Sequence, residues 1–579
     1  MGLIWGGVAP AMAQVSMPKN VILMISDGQG YNTVDATTYY TGHQAIYEYF
    51  PVQLGASTFS AGKEYPNNNQ FAEGQGGYDP AKAWGEFDYV KNGATDSASA
   101  ATALATGQKT YDAAIGVDVF KKDVTNIVEI ASDYGKATGV VTSVEFSHAT
   151  PAGMVAHDVS RNNYAAIALD MYASDLDVIM GCGNPDFDDN GDPATAKSAN
   201  YVGGTTAWED LKTPGGGYSE WTLIQSKTDF EALANGTFNL TTSKLLGVPQ
   251  AYSTLQQSRT KTPGALLYGD PLNDNVPSLA VMTEGALNLL GKDKDGFFLM
   301  VEGGAVDWAN HANDMTRMLE EQLDFNASVE AVVEWVYENS SWKDTLLIIT
   351  ADHECGGLWG PDQALTPLVD NGAGNLPGYK YYSGNHTNAL VPVYAVGKGS
   401  MNLNHFADQT DPVYGKYVDN TEIFRTMLGD VPWRTYEYSY TYLYDDTKMA
   451  AYLKDPAGFD ACDFYTGTMY APLSMGYFVG QVMDMGSGAH IITEMDYKAK
   501  SMGKSGRVYV DNYHDAGKGD FAPMGSKNPL GWGYLGSETG FIIKKWVEVY
   551  RFGKGEAADA LPLYALPPMS GYSKKQLGL

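Results

Sequence analysis

Short runs of apolar residues recur along the first 400 residues of the chain, and each run ends at a glycine or a polar residue. Their length and continuous apolar character are typical of strands that are buried on both faces of a sheet. The runs lie within NVILMISDGQG, ATGVVTSVEFSHAT, LDVIMGCGN, GFFLMVEGG, DTLLIITADHE and ALVPVYAVG. Patterns with helical spacing lie between them, at residues 127–134, 277–290 and 315–337. This alternation predicts an α/β fold, in which a central and largely parallel sheet carries helices on both faces.

Polar residues stand where several of these predicted strands end. Asp27 and Glu302 each close one apolar run, Thr150 follows another, and Asp352 and His353 follow a fourth. In open α/β sheets, ligands bind outside the carboxyl ends of the strands. We therefore expect these five side chains to lie near one ligand site.

The segment GATDSASAATALATG predicts a helix over residues 98–106, with Gly107 just beyond its end. Asp96 and Ser97 stand at the N-terminus of this helix. One interpretation is capping, because an Asp side chain there accepts hydrogen bonds from the first free N–H groups. The other is catalysis, because a helix N-terminus binds anions and a serine beside it can attack a bound phosphate. The segment by itself favours capping.

Acidic and imidazole side chains occur at spacings that suit metal ions. Asp352 and His353 are adjacent, whereas Asp307 and His311 are four residues apart, so one helical turn directs both of the latter to one ion. His386 follows in a glycine-containing loop. Zinc is bound by Asp, Glu and His side chains. Together with Glu302, these residues give enough acidic and imidazole groups for two neighbouring zinc sites.

A third cation and an anion have candidate ligands of their own. Asp27, Thr150 and Glu302 offer only oxygen atoms, which suits the harder magnesium ion. Arg161, in SHATPAGMVAHDVSR, offers a guanidinium that can bind two phosphate oxygens at once. Candidate ligands for three cations and one phosphate thus occur in one chain.

The composition of the chain argues against some classes of protein. The 579 residues carry a formal net charge of −30, which argues against a broad basic surface for nucleic acid. No apolar run is long enough to span a membrane. The A-x-A pattern at residues 11–13 is typical of a signal peptide, of which residues 1–13 are predicted to be a remnant, so we expect a periplasmic or secreted protein. Three cysteines, Cys182, Cys355 and Cys462, allow at most one disulfide.

Six segments, in this order, resemble the alkaline phosphatase family over roughly residues 18–428. They are VILMISDGQG, GATDSASAATALATG, SHATPAGMVAHDVSR, VEGGAVDWANHAND, TADHE and SGNHT. The resemblance implies the α/β fold of that family, hydrolysis of phosphate monoesters, and a site with two Zn²⁺ ions and one Mg²⁺ ion. Because members of the family are often homodimers, it also favours a homodimer.

The resemblance also implies a role for each site residue. Ser97 would be the nucleophile that forms a phosphoserine, and Arg161 would bind the phosphate, oriented with the help of Asp96. The implied metal ligands are Asp307, His311 and His386 for one zinc, Asp27, Asp352 and His353 for the other, and Asp27, Thr150 and Glu302 for magnesium.

Two positions near this site vary within the family. His148 stands where some members have an aspartate, and its imidazole leaves zinc as an alternative to magnesium at the third site. Trp308 stands where some members have a lysine. Because a positive charge near the phosphate is then missing, we expect weaker retention of the product.

Two alternative functions stay open from the sequence alone. One is a related metal-dependent phosphodiesterase or sulfatase, although a sulfatase would have a C/S-x-P-x-R segment, which this chain lacks. The other is a phosphate-binding or surface-binding protein without turnover. The complete set of implied ligands argues against the second alternative.

The composition changes beyond residue 430. The segment WRTYEYSYTYLYDD is rich in tyrosine, and GRVYVDNY and GFIIKKWVEVYRF alternate as β-strands do. We predict a catalytic domain over residues 18–430, with loop insertions around 190–275, and a β-rich extension over 431–579 that packs on this core. Tyrosines suit either a binding face or a packed layer, and general burial preferences favour the packed layer.

Overall fold

A computed structural model describes residues 17–62, 77–194, 197–213 and 215–429, together with the backbone of seven strands between 435 and 550. The chain divides into two compact units, of which one contains residues 16–430 and the other contains residues 1–15 and 431–579. The first unit contains every residue predicted for the site. The predicted remnant of a signal peptide, residues 1–13, lies outside the described residues.

The first unit is built on one eleven-stranded sheet. The described strands of this unit are β1 (Asn20–Ser26), β2 (Val52–Ser57), β3 (Ala137–Glu145), β4 (Val178–Cys182), β5 (Trp221–Ile224), β6 (Lys244–Gly247), β7 (Phe297–Gly303), β8 (Thr345–Thr350), β9 (Glu354–Cys355), β10 (Leu358–Trp359), β11 (Lys380–Tyr381), β12 (His386–Thr387), β13 (Val391–Gly397), β14 (Gln409–Asp411) and β15 (Gly415–Asp419). The four short strands β9 to β12 lie outside the main sheet and form two separate pairs. The order in the sheet is β14-β15-β2-β13-β8-β1-β7-β3-β4-β6-β5. Neighbouring strands are parallel except where β13 or β14 takes part.

Helices join most of these strands. In chain order they are α1 (Tyr31–Thr41), α2 (Pro80–Gly85), α3 (Phe87–Val90), α4 (Ser97–Thr106), α5 (Ile127–Asp133), α6 (Ala149–Gly153), α7 (Tyr164–Ala173), α8 (Thr205–Lys212), α9 (Lys227–Ala234), α10 (Leu279–Leu290), α11 (Ala305–His311), α12 (Met315–Asn339), α13 (Asn402–Phe406) and α14 (Asn420–Met427). Among the described helices, none combines the length and the apolar character that a membrane crossing requires.

Apolar side chains of the sheet pack on both of its faces. On β1, Val21, Leu23 and Ile25 belong to one hydrophobic cluster, whereas Ile22 and Met24 belong to another. Helices α4, α5 and α7 contribute to the first cluster, and α10 and α12 contribute to the second. Successive side chains of a strand point to opposite faces. The two clusters therefore lie on opposite sides of the sheet, and the predicted α/β fold with helices on both faces is confirmed.

The segment predicted as loop insertions, residues 190–275, contains regular structure as well. It includes α8, β5, α9 and β6, and β5 forms one edge of the main sheet. The alternation of β5 and β6 with helices was not recognised in the sequence, because each strand has only four residues.

The second unit contains antiparallel strands, as expected for a β-rich extension. Its described strands are Thr435–Tyr442, Tyr465–Pro472, Val482–Asp484, His490–Ile492, Asp496–Ala499, Lys504–Arg507 and Glu548–Tyr550. They form one three-stranded sheet and two two-stranded ladders. The packing of this extension on the catalytic core stays a prediction.

Candidate metal and phosphate site

Three carboxylates lie at the carboxyl ends of the central parallel strands. Asp27 follows β1, Glu302 lies at the end of β7 and Asp352 follows β8, and these strands are neighbours in the sheet. All three side chains are fully buried. Burial first, and then the charges of Asp352, Asp307 and Glu302, raise the pKa of Asp27 well above its usual range. Buried acidic groups this close together are accommodated when they take up a proton or when a positive charge lies among them.

Helix α11 begins directly after β7 and carries two more potential metal ligands. Asp307 and His311 lie one turn apart on this helix, and His311 Nε2 is 3.4 Å from Asp307 Oδ2. His386 on β12 also reaches this carboxylate, with Nε2 3.4 Å from Asp307 Oδ1. The Nδ1 atoms of His311 and His386 face the carbonyl oxygens of Gly384 and Thr95. Each Nε2 is therefore directed into the cluster, as in a metal ligand whose other nitrogen is held by a carbonyl.

His353 lies between the acidic cluster and the N-terminus of α4. Its Nε2 is 3.1 Å from Asp352 Oδ2, 3.6 Å from Asp27 Oδ1 and 3.1 Å from Ser97 Oγ. Its ring stacks on His386, with 3.5 Å between the ring centroids. The serine predicted as nucleophile thus faces a residue predicted as zinc ligand.

Three compact groups of potential metal ligands occur among the described residues. Within each group, one ligand atom per residue lies within 4.8 Å of every other. The groups are Asp307, His311, Cys355 and His386; Asp27, Asp307 and His353; and Asp27, His148 and Glu302. We call them the outer, middle and inner groups. Cys355 was missed as a candidate in the sequence, where its only signal is its position two residues after His353.

The inner group differs from the predicted magnesium ligands by including His148. Burial and then the Arg161 charge lower the pKa of His148 to about 3, so its imidazole is neutral. Thr150, two residues after His148 in the chain, is fully buried on α6. Thr142, which the sequence did not single out, donates a hydrogen bond from Oγ1 to Glu302 Oε2.

Several buried polar atoms at the site have no hydrogen bond among the described residues. They include both carboxylate oxygens of Asp27, Asp307 Oδ1, Asp352 Oδ2, Glu302 Oε1, Thr150 Oγ1, His148 Nδ1 and His353 Nδ1. Each unsatisfied buried group costs about 1–3 kcal/mol. Coordination by divalent cations would satisfy the oxygen atoms, and the mixture of carboxylate and imidazole suits zinc. The residues therefore fit the cations that the sequence predicts.

Asp96 both caps helix α4 and contacts Arg161. It is the N-cap of α4, and its Oδ1 accepts hydrogen bonds from the backbone N–H groups of Ser99 (3.0 Å) and Ala113 (2.9 Å). Its Oδ2 accepts a hydrogen bond from Arg161 Nη1 at 3.0 Å. Burial alone would raise the pKa of Asp96, but the Arg161 charge and these backbone donors lower it. The carboxylate thus stays ionised, caps the helix and holds the guanidinium.

An open cleft of about 750 Å³ gives access to this cluster. Its lining includes Ser97, Asp96, Arg161, His148, Asp307, His311, His386 and Trp308, and also Lys91, Gln257 and Asn385, which the sequence did not suggest. Arg161 Nη2 lies 3.1 Å from His148 Nε2. The Trp308 ring packs edge-on against His148, with 5.9 Å between the centroids. A phosphate in this cleft would meet the guanidinium, the serine and the metal ligands together.

Comparisons with known proteins agree with this geometry. A model of the alkaline phosphatase family matches residues 18–435. The chain is 30% identical to alkaline phosphatase of Escherichia coli over 437 residues, which cover 68% of this chain and 84% of that protein. It is 32% identical to alkaline phosphatase 3 of Bacillus subtilis over 350 residues, which cover 58% of this chain and 62% of that relative.

A solved structure matches the fold. The crystal structure of a cold-active alkaline phosphatase from a psychrophilic Shewanella species superposes with a TM-score of 0.51 at 24% identity. The match covers 71% of this chain and all of that one. The central sheet with its flanking helices is therefore shared with that structure.

Proposed function

Because the chain belongs to the alkaline phosphatase family, a family of phosphoric monoester hydrolases, we propose that it hydrolyses phosphate monoesters with Ser97 as nucleophile. The observation that carries this proposal is the position of Ser97 Oγ. It lies at the first turn of α4, lines the cleft and is 3.1 Å from His353 Nε2. The neighbouring guanidinium of Arg161, held by Asp96, supports a phosphate at the same place.

The proposed cofactors are two Zn²⁺ ions and one Mg²⁺ ion. The proposed ligands are Asp307, His311 and His386 for one zinc, Asp27, Asp352 and His353 for the other, and Asp27, Thr150 and Glu302 for magnesium. His148, in the inner group, keeps zinc as an alternative at the third site. Bound divalent cations supply positive charge that lowers the pKa of a hydroxyl and stabilises negative charge on phosphoryl oxygens.

The residues of the chain itself would bind, orient and attack the phosphate. The Arg161 fork and the free N–H groups at the start of α4 hold the phosphoryl oxygens. Ser97 Oγ loses its proton and forms a bond to phosphorus while the bond from phosphorus to the alcohol oxygen breaks, and that oxygen takes up a proton as the alcohol leaves. Water then cleaves the phosphoserine, which releases phosphate and restores the serine hydroxyl. Asp96 keeps Arg161 in place through both steps.

This proposal is tested by measuring hydrolysis of a chromogenic aryl phosphate at alkaline pH in the presence of zinc and magnesium. Ser97→Ala should lower kcat by about 10³-fold or more, because the nucleophile is removed. Ser99→Ala, in the same helix but with its hydroxyl on Asp96, is the matched control and should retain most activity. A matched phosphodiester and a sulfate ester are the comparison substrates. A preference for either one would favour a related metal-dependent hydrolase, and no turnover by the metal-loaded protein would favour a binding protein.

The phosphoserine needs a measurement of its own. Acid quenching during turnover, followed by mass spectrometry of the peptide that contains Ser97, should show the mass of one added phosphoryl group. Ser97→Ala protein provides the baseline. Phosphorylation at another residue, or at none under conditions of rapid turnover, would contradict the proposed intermediate.

We also propose a homodimer that acts outside the cytoplasm, in the periplasm or the medium. The A-x-A pattern at residues 11–13 supports this location. Fractionation of the native host should place the activity outside the cytoplasm, and light scattering should give a mass near twice 62.5 kDa. A cytoplasmic activity or a monomeric mass would contradict the respective part.

A further inference from the structure

The outer group contains one donor that the proposed ligand set does not use, the thiol of Cys355. Cys355 lies on β9, which pairs with β12 so that Cys355 is directly opposite His386. Its backbone N–H donates to the carbonyl oxygen of Gly28 at 3.1 Å, which fixes β9 beside the turn after β1. Side chains of directly opposed residues stand on the same face of a ladder. The thiol and the imidazole of His386 are thus held next to each other.

The surroundings of this thiol are those of a metal ligand. Its Sγ lies within 4.8 Å of a ligand atom from each of Asp307, His311 and His386. Cys355 is fully buried and is not disulfide bonded. Asp307 is 5% exposed, and its Oδ1 accepts no hydrogen bond in the described structure. The group therefore contains an unsatisfied carboxylate oxygen, two imidazoles and one sulfur, all close enough to surround one ion.

We propose that Cys355 is a fourth protein ligand of the ion that Asp307, His311 and His386 hold. The proposal rests on the outer metal site of the proposed function and adds a ligand to it. On binding, the S–H bond of Cys355 breaks, its proton leaves to solvent and a sulfur lone pair binds the ion. Zinc can expand from four to five ligands, so a position for a substrate oxygen remains.

The sulfur changes which metals this site prefers. Thiolate is a soft ligand, and it favours zinc and its congeners over magnesium and calcium. The middle group contains carboxylates and one imidazole but no sulfur. The outer site should therefore retain zinc at concentrations at which the other sites lose theirs.

Cobalt tests this ligand directly, because a thiolate bound to Co²⁺ gives a charge-transfer band in the near ultraviolet. The parent protein carries Cys182→Ser and Cys462→Ser, which leaves Cys355 as the only one of three cysteines. Cys182 is buried on β4, where its thiol donates to the carbonyl oxygen of Ser143, so Cys182→Ser in the parent is the matched substitution of a buried cysteine outside the outer group. The parent should show the band when loaded with Co²⁺, and the parent with Cys355→Ser should lose it.

The same proteins give a second readout by equilibrium dialysis with Zn²⁺. Removing Cys355 should weaken binding of the tightest ion by about tenfold or more, as loss of a supporting group in a metal site does. Circular dichroism checks that Cys355→Ser and Cys355→Ala remain folded. If neither variant folds, X-ray absorption of the cobalt-loaded wild type decides, with a sulfur neighbour at about 2.3 Å as the expected result.

The possible failures are distinguishable. Bound cobalt without a charge-transfer band or a sulfur neighbour overturns the role of Cys355 and leaves the proposed phosphatase intact. A band that persists in the Cys355→Ser protein overturns it as well. A protein that binds neither cobalt nor zinc overturns the metal site itself, and with it the proposed function.

Discussion

The two oxygens of the Asp96 carboxylate contact different groups. Oδ1 accepts the backbone N–H groups of Ser99 and Ala113, whereas Oδ2 accepts a hydrogen bond from Arg161. The Ser99 contact stabilises the start of α4, the Ala113 contact holds the chain beyond the end of that helix, and the Arg161 contact holds the guanidinium that we propose as the phosphate ligand. In the proposed mechanism Asp96 therefore acts through Arg161 and is a positioning residue.

Asp96→Asn separates these two functions. The asparagine retains an acceptor oxygen for the helix, but it presents an amide N–H₂ group to Arg161 in place of a carboxylate oxygen. We expect the inhibition constant of phosphate to rise about tenfold while the melting temperature changes little. Asp96→Ala is the control, because it also removes the cap, at a cost of about 1 kcal/mol. An unchanged inhibition constant in Asp96→Asn would show that Arg161 does not depend on this ion pair.

We expect Trp308 to affect the release of product phosphate. Its ring packs against His148 at the wall of the cleft, close in space to Arg161. Trp308→Lys adds a positive charge beside the bound phosphate, so phosphate should inhibit more strongly and turnover should become slower. Trp308→Leu removes the ring without adding charge and is the control. Equal inhibition constants in the wild type and Trp308→Lys would contradict this role.

At the scale of the element, helix α12 carries buried carboxylates that the catalytic site does not use. Glu320 pairs with both Arg259 and Arg317 at 2.8 Å, whereas Glu321 Oε1 has no hydrogen bond. Burial first, and then the charge of Asp324, raise the pKa of Glu321 to about 8, although the Arg259 charge acts in the opposite direction. Glu320 also raises this pKa, and Arg317 also lowers it. The folded protein therefore holds a proton on Glu321 at neutral pH.

This proton makes stability depend on pH. An unfolded glutamate loses its proton near pH 4.3. Between about pH 4.3 and 8, the folded state binds the proton and the unfolded state does not, so stability falls as pH rises. Glu321→Gln removes this dependence, and its advantage over the wild type should increase from pH 5 to pH 8, to at most a few kcal/mol.

Thermal melting of Glu321→Gln across this range measures the effect. Glu330→Gln is the matched control, because Glu330 lies on the same helix and is exposed to solvent. The control should shift the melting temperature equally at both ends of the range. A Glu321→Gln variant that behaves in the same way would contradict the raised pKa.

At the scale of the whole molecule, several buried carboxylates lie together at the carboxyl ends of the central strands. Asp27, Glu302 and Asp352 are fully buried at the carboxyl ends of adjacent strands, and Asp307 follows on α11. Their mutual repulsion opposes folding in the absence of cations. Ions that bind only the folded chain stabilise it by about 4 kcal/mol per site at a concentration 1,000 times the dissociation constant.

Removal of divalent cations should therefore lower both activity and stability. We expect EDTA to abolish hydrolysis and to lower the melting temperature by several degrees, and zinc with magnesium to restore both. EDTA that is saturated with zinc beforehand is the control for effects of the chelator itself. A melting temperature that is the same with and without EDTA would show that the buried carboxylates need no cation.

Much of the fold could be predicted from the sequence because the signals are local. The runs that form β1, β3, β7 and β8 are apolar throughout, as burial on both faces requires, and α10 and α12 follow from their spacing. The antiparallel direction of β13 was not predicted, since its apolar run is the same in either direction. The four-residue strands β5 and β6 contain too few positions for a period to be recognised.

The sequence by itself determined which types of side chain occur at the site and that they follow the ends of strands. Which of them lie close enough to share an ion was decided only by the tertiary structure. Cys355 joins His386 through a two-residue ladder between segments 31 residues apart, and no local pattern specifies such a pairing. His148 likewise reaches Asp27 and Glu302 only because β1, β3 and β7 end at the same edge of one sheet. Periodicity is a property of neighbours in the chain, whereas coordination depends on distances between residues that the fold brings together.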